Sequence, residues 1–121
     1  MKLFDLKLTL ARGFLNLSMY HYAWEELEKL SPEATAHPAV LLMKLDIQLA
    51  LHRWEDAAAL GAKCCRDWRT YDEFFLRTAS ALMHVNDHAK ALELLKSGPP
   101  ELSQRDEYHY AVARCAARGV H

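Results

Sequence analysis

Two histidines four residues apart, His84 and His88, are the first pair whose spacing suits chemistry. On a continuous helix that spacing puts both rings on one face, as zinc ligands require. Asn86-Asp87 breaks the helix between them, and no further ligand cluster stands nearby. The pair therefore reads as a packing histidine, His88, beside a surface histidine, His84, with no metal. Cys64 and Cys65 are adjacent, so on a helix their side chains point about 100° apart. That geometry disfavours a mutual disulfide, and the pair lacks C-x-x-C spacing. Cys64 falls on the inward face with Trp54 and Ala57, and Cys115 falls among small residues. Glu25-Glu26 and Glu55-Asp56 read as solvated faces rather than acid–base pairs. Trp24, Trp54 and Trp68 fit helix packing better than an aromatic cage or a base-stacking surface. No glycine-rich phosphate loop occurs. The expectation is a protein with no catalytic residue, no cofactor and no enzymatic activity, which a pocket joining His84 to a cysteine would overturn.

The bulk of the chain agrees with a binding role. Of 121 residues, 51% are hydrophobic and 26% charged, and the net charge is −1 from 15 basic and 16 acidic residues. A general nucleic-acid binder needs a basic excess to meet the phosphate backbone, and none is present. No window reaches the ~20 apolar residues of a membrane span. Met1 to Leu8 begins like a signal peptide, but Asp5, Lys7 and Arg12 interrupt any apolar core, so the segment reads as a first helix. The odd number of cysteines, three, fits reduced, buried thiols and a cytoplasmic location.

Leucine and alanine dominate and glycine and proline are rare, four of each, so helix is favoured throughout. Seven helices are predicted, over 3–17, 20–30, 38–51, 54–68, 71–84, 88–96 and 106–118. Leu6, Leu10, Phe14 and Leu17 are expected to form the apolar face of the first. Ser31-Pro32-Glu33 is expected to open a short loop, and Pro38 to start the third helix, where its missing N–H costs nothing. Thr70 with Glu73 resembles a capping box for the fifth helix. Asp87 is expected to cap the sixth and Ser103 the seventh, with Ser97-Gly98-Pro99-Pro100 as a stop between them and Gly119 as the final stop. Such short links make sequential helices antiparallel neighbours.

Ala23, Ala57 and Ala91 recur at one constant 34-residue step, and Ala11, Leu45, Ala79 and Ala113 share it. A helical hairpin takes about this length, so the period predicts stacked helix pairs. Three segments share one place in the period on the first helices: Leu10-Ala11-Arg12-Gly13-Phe14, Thr78-Ala79-Ser80-Ala81-Leu82 and Val112-Ala113-Arg114-Cys115-Ala116. The second helices carry Tyr20, Ala23 and Leu27; then Trp54, Ala57 and Gly61; then His88, Ala91 and Leu95. In this the chain resembles the tetratricopeptide repeat family over nearly its whole length. Leu45 departs from the pattern where a small residue is expected, and Gly61 where a bulky one is; a larger side chain meeting a smaller one is the compensation expected there.

The resemblance implies an all-α fold: a right-handed superhelical stack of antiparallel hairpins, with three repeats over about 3–36, 37–70 and 71–104 and a partial repeat or capping helix over 105–121, forming one continuous domain. It further implies a concave groove lined by the first helix of each repeat. Projection by the 34-residue step places Arg12, Asp46, Ser80 and Arg114 there, followed one turn on by Asn16, Ala50, His84 and Arg118, with Leu49 and Tyr110 beside them. The family's carboxylate clamp for chaperone tails is not expected, because Leu8, Arg12, Asp46, Leu76 and Ser80 stand at its positions. The expected function is a non-catalytic protein–protein interaction scaffold that holds a peptide or partner segment in this groove; Arg114 and Arg118 suit an acidic group. The alternatives are a secretion-type chaperone shielding an export substrate, or a self-associating assembly module that forms a homodimer through the C-terminal helix. That helix has no second-helix partner and is largely apolar or small over 108–117. It is therefore expected either to continue into a longer array or to dock on another subunit.

Overall fold

The computed structural model describes residues 3–119, so Met1 and Lys2 of the signal-like start lie outside the described residues. Among the described residues it is all-helical, with no strand and no helix long and apolar enough to cross a membrane. The helices are α1 (Leu3–Asn16), α2 (Tyr20–Glu28), α3 (Pro32–Thr35), α4 (Pro38–Ala50), α5 (Trp54–Asp67), α6 (Asp72–His84), α7 (His88–Lys96) and α8 (Asp106–Gly119), with a 3₁₀ turn at Pro100–Gln104. The chain divides into two compact units, 1–52 and 53–121.

In the first unit α2 packs on α1 and α4. The core is Ala11, Ala23, Leu27, Val40, Met43 and Ile47, flanked by half-buried Phe4, Leu8, Phe14 and Leu15. The small residues at 11 and 23 allow these helices to approach closely. The inward face of α1 thus differs from the expected one. Leu6 is 55%, Leu10 46% and Leu17 70% exposed, and of that set only Phe14 packs against the core. The segment after α2 is not a loop. Ser31 Oγ accepts a hydrogen bond from Ala34 N at 3.2 Å, and Pro32 begins the single turn of α3. Pro38 opens α4 as expected, and His37 Nδ1 accepts from Ala39 N at 3.1 Å.

In the second unit α6 packs against α5, α7 and α8. Six of its residues are buried: Phe74, Phe75, Thr78, Ala79, Ala81 and Leu82. The absent side chain of Gly61 answers to α6: a Cβ there would lie 2.0 Å from Thr78 Oγ1. No capping box forms at Thr70 and Glu73, because α6 starts at Asp72 after Tyr71 and Glu73 is engaged by Arg77 and Arg105. Asp87 does cap α7, accepting from Lys90 N at 3.2 Å. Ser103 caps nothing; it sits inside the 3₁₀ turn and donates to the Pro100 carbonyl at 2.9 Å. The last helix includes Gly119. It buries Ala111 and Cys115, not Ala113, which is exposed because no described helix covers that face.

The 34-residue step also appears in the backbone. Ser18, His52 and Asn86, the three non-glycine residues with positive φ among the described residues, follow α1, α4 and α6 at φ 61°, 59° and 64°. Each is followed by a residue of matching geometry: Met19 (−93°, 67°), Arg53 (−91°, 68°) and Asp87 (−98°, 64°). A left-handed residue after a helix releases the chain while satisfying terminal carbonyls. Met19 N bonds Phe14 O at 2.8 Å, and Asp87 N bonds Leu82 O at 2.9 Å in the same way.

Candidate interaction site

The second unit carries a polar cleft of about 210 Å³ at one end of α6, lined by Met83, His84, Asn86, His88, Arg114 and Arg118. Its parts follow from local structure. The left-handed Asn86 turns the chain after α6, so His84 and His88 meet at the corner instead of on one helix face. Arg114 and Arg118 are four residues apart on α8 and share a face. The His84 ring stacks on Trp54, with centroids 3.9 Å apart and planes 14° from parallel. Its Nδ1 lies 2.8 Å from the Ser80 carbonyl. A carbonyl only accepts, so Nδ1 carries the proton and the ring is held in one tautomer. The Nδ1 atom of His88 is buried and has no hydrogen-bond partner among the described residues.

Four arginines of this unit differ in how they are engaged. Arg105 pairs with Asp72 at 3.2 Å, with Glu107 at 2.7 Å and with Glu73, which also holds Arg77. These are structural ties. Arg114 and Arg118 are exposed, and among the described residues neither has an ion-pair partner. Arg114 lies over the ring of Tyr110 at 5.7 Å. Among the described residues no carboxylate lines the cleft. The cleft thus brings together two guanidinium groups and two imidazoles, and an arginine can offer an anionic group paired N–H donors.

The expected groove residues are thus placed as follows. Ser80, His84, Tyr110, Arg114 and Arg118 belong to the second unit, where His84, Arg114 and Arg118 line one cleft, Ser80 orients His84, and Tyr110 flanks Arg114. Arg12 and Asn16 are exposed on α1, and Asp46 and Leu49 are half-buried on α4, all in the first unit. Sequence reasoning missed Asn86, the His88 contribution and the Trp54 support. The signal for the last was available, since Trp54 and His88 occupy the same place in the 34-residue period.

His84 shares its cleft with no cysteine. Burial pushes the Cys64 and Cys65 thiols up to about 11 and raises Cys115 as well. Thiols held this way are poor nucleophiles at neutral pH. Among the described residues no group of three or more His, Cys, Asp or Glu could hold a metal ion. Comparison with protein-family models, curated proteins and solved structures finds no match to the chain.

Proposed function

We propose that the protein is a non-catalytic interaction module of tetratricopeptide-like organisation, and that its second unit grips an acidic group of a peptide or partner segment at His84, Arg114 and Arg118. The observation that carries this reading is a cleft that no carboxylate of the described residues lines, with two arginines that have no ion-pair partner among those residues, whereas Arg77 and Arg105 are held by ion pairs. The repeat supports it. Ser80 and Arg114, and likewise His84 and Arg118, are one step of the repeat apart, so the cleft lies between equivalent positions of successive first helices. The recurring turn at 18, 52 and 86 supports a chain built by repetition. Mechanistically, Trp54 and the Ser80 carbonyl hold His84 in place before a ligand arrives, so little side-chain entropy is lost on binding.

The test is selection from a displayed library of random dodecapeptides, run in parallel on the wild type and on Arg114→Gln/Arg118→Gln. Enrichment of Asp and Glu with the wild type alone supports the reading. No enrichment, or the same enrichment with both proteins, overturns it.

A further inference from the structure

The cleft at the end of α6 mixes two kinds of cation. Guanidinium groups keep their charge throughout the working range, whereas an imidazole changes charge between about pH 5 and 8. The geometry of His84 decides which of its atoms is involved. Its Nδ1 lies 2.8 Å from the Ser80 carbonyl and holds a proton toward it. One ring face is taken by Trp54, stacked at 3.9 Å and 14°. Nε2 is the polar atom that the ring has left for a ligand. In the neutral ring, with the proton on Nδ1, Nε2 is a lone pair and only accepts. A carboxylate also only accepts. The neutral ring and an acidic ligand therefore have no hydrogen bond to make, and their lone pairs repel.

A proton from solvent on Nε2 reverses this. The ring becomes a charged donor, and the Nδ1–H bond to Ser80 stays in place, so the ring need not turn. The indole face of Trp54 accommodates a cationic ring as well as a neutral one. The surroundings supply no negative charge in advance. The helix that carries His84, α6, packs against α5, α7 and α8. Toward His84 the first presents Trp54, which is uncharged, the second His88 and the third Arg114 and Arg118, while the intervening turn presents Asn86. Among the described residues no carboxylate lines the cleft, so a bound acidic group is what balances a third positive charge there. His88 is not assigned this role. An imidazolium at 88 would hold a buried Nδ1–H with no acceptor among the described residues.

We infer that the cleft takes up one proton, at Nε2 of His84, together with the acidic group it binds, so that its grip tightens as pH falls. This rests on the reading of the cleft as an anion site and adds its regulation. The two arginines hold the ligand at any pH, and His84 joins them once protonated.

The test is calorimetric binding of hexaglutamate at about pH 8 and about pH 6, a range in which imidazoles change charge and the peptide's carboxylates do not. The wild type is expected to bind about tenfold more tightly at the lower pH, within the limit of about tenfold per pH unit for one linked proton. His84→Gln, at an exposed position, is expected to bind equally at both, and His88→Gln to keep the difference. Ring ¹H–¹⁵N spectra give a second reading. One imidazole is expected to titrate at higher pH when hexaglutamate is present, and its signal to be missing from His84→Gln. Equal wild-type binding at the two pH values, lost in Arg114→Gln/Arg118→Gln, overturns the inference and leaves the anion site standing. Tighter binding at the higher pH, or a pH dependence that persists in His84→Gln, also overturns it. No binding at either pH overturns the inference and the anion site together.

Discussion

Replacing Gly61 with alanine probes the close approach of α5 to α6. Mid-helix glycine normally costs about 1 kcal/mol relative to alanine, so the change should stabilise α5 if space allowed. Space does not allow it. The new Cβ would sit 2.0 Å from Thr78 Oγ1, 2.9 Å from its Cβ and 3.0 Å from its Cγ2. Thr78 cannot swing aside freely: it is 1% exposed, and its hydroxyl donates to the Phe74 carbonyl at 2.6 Å and accepts from Cys65 Sγ at 3.7 Å. Overpacking of this kind costs up to about 3 kcal/mol, so the net loss should be about 2 kcal/mol after the helix gain. Urea unfolding followed by circular dichroism reads it directly. Combining it with Thr78→Ala removes the two side-chain atoms at 2.0 and 3.0 Å and leaves only the Cβ at 2.9 Å. The double variant should then be less destabilised than the sum of the singles by about 1 kcal/mol or more. A Gly61→Ala protein as stable as the wild type would refute the close packing of α5 on α6.

Three further outcomes follow from the charged and buried groups. The native protein should leave all three thiols unreacted with a disulfide reagent near pH 8 and expose them on unfolding. Because Cys64 and Cys65 hold their protons up to about 11 when folded, against 9.0 in the unfolded chain, stability should fall as pH rises through 9 to 11, where only the unfolded state has lost them. At the acid end, burial of Glu73 opposes its ionisation, but hydrogen bonds from Arg105 and Arg77 outweigh that and hold its pKa below the ordinary 4.5. Its contribution is present above that value and is lost as pH falls through the folded pKa, and Arg105→Ala should flatten this acid limb in urea unfolding between about pH 2 and 5.

Helix positions were legible because the apolar spacing and the stop signals agree: the predicted spans meet the observed ones at their centres, and Pro38 and Asp87 act as their types suggest. The face of α1 was not, because leucines occur on both sides of that helix, at 6, 10 and 17 and at 8 and 15, and periodicity cannot choose between them. Tertiary packing chose the side with Ala11, whose small size admits a neighbour. Ala113 shows the converse, since a small residue becomes a packing position only where another helix lies over it. The left-handed turns at Ser18, His52 and Asn86 escaped notice because none is glycine; their common step becomes visible only once the repeat is applied to turns as well as helices. Arg114 and Arg118 were legible from the same step, whereas Glu73 read as a cap because its arginine partners, Arg77 and Arg105, could be assigned only from the fold.

The most direct test of the anion cleft is a titration of ¹⁵N-labelled protein with hexaglutamate, followed by amide chemical shifts, with hexalysine as the control. Saturable shifts confined to 83–88 and 110–118, absent with hexalysine and lost in Arg114→Gln/Arg118→Gln, are the predicted result. Shifts elsewhere, shifts that persist in the double variant, or no saturable shift would contradict the account.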